Sequence, residues 1–413
     1  MELRVPFYRT DIREPEIEEV VATLRSGWLT TGPRVKRFED TFASAVGASH
    51  AVAVNSCTAA LHLAVRALGL APGQGVLLPS LTFAATAEVV RYEGGVPVLV
   101  DCDPETLCMD LRDAARKLIE LESGRMVAGL PPGLDIVGMI PVHYGGLMMD
   151  IDEIHAFASR HNLWVVEDAA HAFPAAWRRS PLEPWQRCGQ HTARISCFSF
   201  YANKTITTGE GGMAVTDEPT LADRMRLLSL HGLSQDAWSR YSGTGSWDYR
   251  IVAPGYKYNL TDIAAALGIC QLARAEEMRS ARQSIALEYH DQLARVDEIE
   301  LIPVNTDRIH AWHLFPIRLR LNGLGMDRNR FIRELHERGV ACSVHWRPLH
   351  LHPYYEQTFR WQSMDLPVSS REWVRLISLP IFSGMRTEEM RAVVSAVQEV
   401  CASCLRRQKV ATA

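Results

Sequence analysis

Short apolar runs alternate along the first two-thirds of the chain with stretches whose apolar positions recur every three or four residues. Ala51–Asn55, Val76–Pro79, Val96–Val100, Ile136–Val142, Leu163–Glu167, Ile195–Tyr201 and Gly212–Thr216 are runs bounded by Gly, Pro, Asp or His, as expected of strands buried on both faces. Between several of them, Leu61 to Leu68, Ile151 to Arg160 and Leu221 to Leu230 carry i, i+3, i+4 spacing. This alternation predicts an α/β fold with a mainly parallel, seven-stranded sheet flanked by helices. After about residue 260 the pattern changes. A long helix is expected from Thr261, with Thr261 and Asp262 as cap residues, to about Leu293. A strand at His313–Leu321, an amphipathic helix at Arg328–Arg338 stopped by Gly339, and a last helix at Thr387–Cys401 follow. The chain therefore divides into a large α/β domain, 1–260, and a smaller C-terminal α+β domain, 261–413. Arg178–Gln190 and Ser239–Trp247 read as surface excursions.

Composition narrows the field. The 413 residues are 47% hydrophobic and 22% charged, which suits a folded chain and argues against long disordered tracts. A formal net charge of -4 leaves no basic excess to attract nucleic acid or an anionic membrane surface. No stretch approaches the roughly 20 apolar residues that span a bilayer, and the N-terminus lacks a signal-like apolar run, so a cytoplasmic protein is expected. Nine cysteines at irregular spacing do not form a secreted disulfide framework. Cys401 and Cys404 make one CxxC without a second pair, so no metal site is expected.

Lysine occurs only at positions 36, 117, 204, 257 and 409, and arginine supplies nearly all the other positive charge. Lys204 lies in SFYANKTITTGEGG, just after a buried strand and before glycines that permit tight turning. A lysine at a strand end over a cavity can lose its proton through desolvation and then attack a carbonyl or relay a proton. Its plainer reading is a side chain snorkelling at a sheet end. The strand in LWVVEDAAH delivers Glu167 and Asp168 to its carboxyl end, where ligands of open α/β sheets bind. A carboxylate there can hold a pyridine nitrogen protonated, and Asp168 is the candidate, although it would equally cap the following turn. His171 follows three residues on, near enough to meet a phenolic oxygen or pack beside a ring. In NSCTAALHLAVRAL a strand ends in small polar residues and a helix begins at once, which makes an anion site of free amides with the Thr58 hydroxyl beside them. Ser56 or Thr58 as a simple helix cap is the alternative. Ser199 offers a second hydroxyl, and Phe83 a flat face for a ring, unless it belongs to the core. What distinguishes the set is that all its members fall at the ends of successive strands.

Together these motifs resemble the pyridoxal-phosphate enzymes of fold type I, and among them the DegT/DnrJ/StrS nucleotide-sugar aminotransferases. The resemblance runs from SGWLTTGP through NSCTAALHLA, PSLTFAAT, IPVHYGG, VVEDAAHA and FSFYANKTITTGEGG to GYKYNLTDIAAALG. The wording of GYKYNLTD, HAWHLFPIRL and HERGVACSVHWRPLH is similar to the UDP-4-amino-4-deoxy-L-arabinose aminotransferase branch. It implies that Lys204 carries pyridoxal 5'-phosphate as an imine, that Asp168 pairs with the pyridine nitrogen and that His171 lies near the cofactor hydroxyl. Phe83 would stack on the ring, while Cys57 through its amide, Thr58 and Ser199 would hold the phosphate. Asn259 would reach that phosphate from the second subunit of a homodimer. Thr31, Lys257, Tyr258, His345 and Arg347 would line the substrate side. The implied reaction moves an amino group from L-glutamate to a keto-sugar nucleotide, a 4-keto sugar, by a ping-pong cycle in which Lys204 relays the proton. Lys204 stands where dehydratases with the same pattern carry histidine. Cys57 stands where related sequences usually have Gly or Ala, and inserts around Gly124–Leu134 and Trp177–Gln190 bear on the choice of substrate. Two other readings within reach are a pocket retained for sensing without transfer and an aminotransferase for a cyclitol ketone. A dinucleotide-dependent dehydrogenase is disfavoured, since no GxGxxG follows the first strand.

Overall fold

The computed structural model describes residues 4–125, 127–234 and 250–411, with the side chains of 323 and 404–411 outside the description. Ser239–Trp247 and the side chain of Cys404 therefore fall outside the described residues. Helices α1 (Glu14–Ser26) and α2 (Pro33–Val46) precede β1 (His50–Val54), α3 (Cys57–Ala67), β2 (Gly75–Pro79), α4 (Ala85–Tyr92) and β3 (Val96–Val100). The chain continues through α5 (Leu111–Glu122), β4 (Ile136–Met139), α6 (Ile151–Arg160), β5 (Trp164–Asp168), β6 (Ala176–Trp177), β7 (Gln186–Arg187), β8 (Ile195–Ser199), β9 (Gly212–Thr216) and α7 (Pro219–Ser229). Seven strands form one sheet in the order β1-β9-β8-β5-β4-β2-β3, in which only β9 runs against its neighbours. All seven expected strands are present, with β4 and β8 shorter than their apolar runs.

Burial follows the two-residue period of a strand. On β1, Ala51 and Ala53 join a core under α2, α5 and α6, whereas Val52 and Val54 join a second core under α3, α4 and α7. On β2, Leu77 takes the first side and Val76 and Leu78 the second. Both faces are thus covered, as a mainly parallel sheet requires.

The C-terminal part adds α8 (Asp262–Ala273), α9 (Ala275–Leu293), β10 (Ile299–Leu301), β11 (Arg308–Ile309), β12 (Phe315–Leu319), α10 (Arg328–Glu337), β13 (Leu376–Leu379) and α11 (Thr387–Ala411). The single helix expected from Thr261 to Leu293 is two helices parted at Arg274, whose guanidinium bonds Glu16 at 2.8 Å and Asp11 at 2.6 Å. Packing also passes through residue 260. Ala265, Ile269 and Met278 belong to the large-sheet core together with Phe38, while Val5 joins the small three-stranded sheet β10-β12-β13 and its helices. The stretch Arg178–Gln190 is not wholly an excursion, because β7 within it pairs with β6, and β6 with β11. That small sheet ties the large domain to the C-terminal chain.

The β1 edge of the large sheet is closed by side chains and a passing segment. Ala51 O accepts from the Arg226 guanidinium at 2.9 Å, Ala53 N–H donates to Glu39 Oε1 at 2.9 Å, and Asn55 N–H donates to Tyr258 O at 2.7 Å. Burial pushes the Glu39 carboxyl up to about 7, against the opposing pull of the Ala53 amide and Arg226. The folded chain thus keeps a proton that the unfolded chain releases near the ordinary carboxylate value of 4.5. Stability should fall as pH rises from about 4.5 to about 7, by at most ~1.4 kcal/mol per pH unit from this group. Urea unfolding midpoints measured across that window should show the decline in the native chain and a flatter profile in Glu39→Gln.

Candidate active site

The helix start after β1 is shaped by what passes next to it. Ser56 caps α3, its hydroxyl accepting from Ala59 N–H at 3.1 Å, so the amides of Cys57 and Thr58 fall in the first turn, where no helix carbonyl is available to them. Strand β9 crosses against this turn. A Cβ built on Gly212 would fall on the Ser56 carbonyl and 2.6 Å from Cys57 N, so only glycine allows the approach. Ser199, at the end of β8, lies on the same cavity as Ser56, Cys57 and Thr58.

That cavity has a volume of about 520 Å³, within the ~300–1,000 Å³ range of small-molecule sites. It sits at the carboxyl ends of the parallel strands, and Phe83, Asp168, His171, Lys204 and Glu210 also line it. Lys204 follows β8 by a short turn, its N–H donating to Tyr201 O at 2.9 Å. Desolvation lowers its amine to about 8, with Arg282 acting in the same direction and Cys57 and Asp168 opposing it. Asp168 ends β5. Its Oδ2 accepts from Thr86 Oγ1 at 2.8 Å and its Oδ1 from Ala170 N–H at 3.2 Å, and burial pushes its carboxyl pKa above the usual carboxylate value. Glu167, the adjacent acid, points to the other face and is fully committed: His143 Nε2 lies 3.1 Å away, and the Thr192 and Ser196 hydroxyls each donate at 2.6 Å.

The C-terminal chain supplies the opposite wall. His313 Nε2 is 3.3 Å from Lys204 Nζ, and the rings of His171 and His313 lie 4.2 Å apart. Trp346 stacks on His171 at 5.0 Å and approaches Phe83 at 6.5 Å, while His345 holds Ser378 Oγ at 2.8 Å through Nδ1. His171, His313 and His345 are all pushed well down by burial, with the Lys204 charge next in effect, and stay neutral in the ordinary pH range. Sequence reasoning missed His313 and Trp346. A histidine and tryptophan directly before an apolar run, in HAWHLFPIRL, was the available signal for the first.

The cavity gathers Lys204, Asp168, His171, Cys57, Thr58, Phe83, Ser199 and His345. Other candidates lie apart. Asn259 Nδ2 donates to Thr31 Oγ1 at 2.7 Å, and Lys257 Nζ reaches Asn259 Oδ1 at 2.5 Å, forming a partly exposed group of their own. Tyr258 faces the other way: its hydroxyl is 3.0 Å from His62 Nδ1 and its ring stacks on Tyr256 at 5.0 Å. Arg347 is exposed and does not line the cavity. Among the described residues, His143, Glu167 and Cys188 converge closely enough to hold a metal ion, but the hydrogen bonds above already engage His143 and Glu167. Among the described residues, no helix is long and apolar enough to cross a membrane.

A cavity at the carboxyl edge of this sheet, with a buried lysine, a facing carboxylate and an anion cradle, defines an enzyme of the fold-type I aminotransferase class. Residues 10–398 match the model of the DegT/DnrJ/EryC1/StrS aminotransferase family, and the chain belongs to that family, whose enzymes depend on pyridoxal 5'-phosphate. It is 41% identical over 397 residues to the spore coat polysaccharide biosynthesis protein SpsC of Bacillus subtilis (strain 168), covering 96% of this chain and 97% of that one. Among solved structures it is similar to the putative sugar aminotransferase Spr1654 from Streptococcus pneumoniae in its PMP form, with TM-score 0.85, 30% identity and coverage of 97% of this chain and 100% of that one. The PLP form of the same protein gives a TM-score of 0.84 with 30% identity over 97% of this chain and 99% of that one. DesV from S. venezuelae gives 0.82, with 30% identity over 97% of this chain and 99% of that one.

The residues fit the cofactor. The first-turn amides and two hydroxyls suit a phosphate, and Asp168 can face a ring nitrogen. The buried Asn203 Oδ1 and His313 Nδ1, both on cavity residues, have no hydrogen-bond partner among the described residues and leave polar groups for a ligand to meet. Gly212→Ala should force β9 away from α3, lowering stability by about 1–3 kcal/mol and weakening pyridoxal-phosphate binding by about tenfold or more. Urea unfolding and an absorbance titration with the cofactor check both.

Proposed function

We propose that this chain is a pyridoxal-phosphate-dependent sugar aminotransferase that moves the amino group of L-glutamate to a keto-sugar nucleotide, a 4-keto sugar, by a ping-pong cycle. The observation that carries the reading is the Lys204 amine, lowered to about 8 at the edge of a cavity that also holds Asp168 and the α3 anion cradle. An amine in that range has both protonation states available near neutral pH, which a group that must take and return a proton needs. When bound, the cofactor supplies the electron sink that makes the substrate carbon acidic. Within this chain, Cys57 N–H, Thr58 and Ser199 bind the phosphate, Phe83 packs on the ring, and Asp168 keeps the ring nitrogen protonated. Thr86 holds the Asp168 carboxylate at 2.8 Å in the orientation this requires. Lys204 Nζ takes the proton from the amino-acid carbon in the first half-reaction and delivers one to the sugar carbon in the second.

The sugar acceptor is supported by the polysaccharide biosynthesis role in the name of SpsC and by the sugar aminotransferase titles of Spr1654 and of CalS13 from Micromonospora echinospora. A homodimer is part of the proposal. Asn259 and Lys257 lie on a surface segment outside their own chain's cavity, and exposed Ile251 and Val252 lie nearby in sequence, as expected of a segment that completes a neighbour's site. His345 and the exposed Arg347 are proposed to meet the nucleotide part of the acceptor, Thr31 and Lys257 its sugar side from the partner, and Tyr258 acts only through His62. Lys204→Ala should abolish turnover and the absorbance band of the lysine-linked cofactor. In the native protein, glutamate should bleach that band, and the correct keto-sugar nucleotide should restore it. Full activity in Lys204→Ala would refute the assignment.

A further inference from the structure

The segment that carries His313 is held with unusual thoroughness for a loop. Ala311 N–H donates to Gly146 O at 3.0 Å and Leu314 N–H to Gly145 O at 3.2 Å, so the segment is stitched to the turn after β4. Between them Trp312 has φ 49°, in the left-handed region that a bulky residue rarely enters. Two groups hold it there. Its N–H donates to His310 Nδ1 at 2.8 Å, and its carbonyl accepts from the Arg282 guanidinium at 3.2 Å, which also donates to Ile381 O at 3.0 Å. Arg282 is 3% exposed and makes no ion pair among the described residues; its bonds go to backbone carbonyls. A buried cation committed to shaping a loop, and a strained residue inside that loop, point to a demand on what the loop presents. It presents His313, 5% exposed, to Lys204 Nζ at 3.3 Å.

Lysine has a long, rotamer-rich side chain, and a transaminating lysine must leave its cofactor and come back to the same carbon in every cycle. We propose that His313 is a positioning residue: its Nε2 accepts a hydrogen bond from the free Lys204 amine and keeps it in the cavity while substrate occupies the cofactor. This role rests on the aminotransferase reading above. A neutral imidazole suits it, since it receives the ammonium's proton in a hydrogen bond without adding charge. The charged or titratable groups that face the amine are Cys57 from α3, Asp168 at the end of β5 and His171 after it, His313 and His345 from the C-terminal chain, and Arg282 from α9. Of these, His313 alone has a hydrogen-bond distance to Nζ among the described residues.

The test uses the full-length protein and its His313→Phe and His313→Gln variants. In cofactor-free protein, acetylation of Lys204 by acetic anhydride is followed against pH by mass spectrometry. Loss of the acceptor disfavours the ammonium form, so the labelling midpoint should fall by about half a pH unit or more in His313→Phe and by less in His313→Gln, whose amide oxygen still accepts. In the cofactor-loaded protein, the rate of bleaching by saturating glutamate should fall about tenfold or more in His313→Phe while half-saturation changes less than about twofold, with partial recovery in His313→Gln. An unchanged midpoint and bleaching rate in His313→Phe overturns the proposal, as does equal loss in both variants, which marks a packing role. If His313→Phe does not fold, an unaltered midpoint and rate in His313→Ala overturns it equally. Native protein that glutamate fails to bleach, while the labelling midpoint still shifts with His313, defeats the aminotransferase reading and leaves the contact standing.

Discussion

An amine withdrawn from water organises this molecule. Lys204 carries one of the few lysine side chains in the sequence, and it stands with its nitrogen among Asp168, Cys57 and a ring of neutral histidines. A cation in that position is destabilised by burial and partly recovered by the Asp168 carboxylate, so its proton becomes mobile. Each wall of the cavity answers to that balance. Strand β5 brings the carboxylate, the first turn of α3 brings free backbone amides with no cation of that helix on the cavity, and the C-terminal chain brings imidazoles that burial keeps uncharged.

The construction relies on close passages of backbone. Gly212 lets β9 lie against the first turn of α3, which fixes the distance between the anion cradle and the β8–β9 loop that bears Lys204. The turn after β4 then meets the 310–314 segment through Gly145 and Gly146, whose φ values of 64° and 99° suit glycine. Gly145 N–H also donates to His171 Nδ1 at 3.3 Å, so one turn orients histidines from both parts of the chain. The β6-β7-β11 sheet reinforces the same junction.

Much of this was legible in the sequence, for a physical reason. In a sheet covered on both faces, strands are short apolar runs and the polar residues that follow them mark the edge where ligands bind, so Lys204, Asp168 and the Ser56–Thr58 turn stood out together. His313 and Trp346 did not, because they arrive from more than a hundred residues away through contacts that no local period encodes. The break at Arg274 was hidden for a similar reason: helical spacing continues across it, and the cause is a pair of carboxylates near the N-terminus. Tyr258 could have been placed correctly by a simple rule. In an extended segment its side chain must point away from those of Lys257 and Asn259, and it does.

The covered edge at β1 has a consequence for what the sheet offers to its surroundings. An open strand there would offer a row of amides and carbonyls to any other strand, and association would be indiscriminate in register and unlimited in number. Here Arg226, Glu39 and the Tyr258 carbonyl occupy those groups, and the last of them belongs to the very segment that displays Asn259. Growth of the sheet by a further strand is therefore blocked along this border, and what it presents outward is a set of side chains of fixed identity in place of an open template.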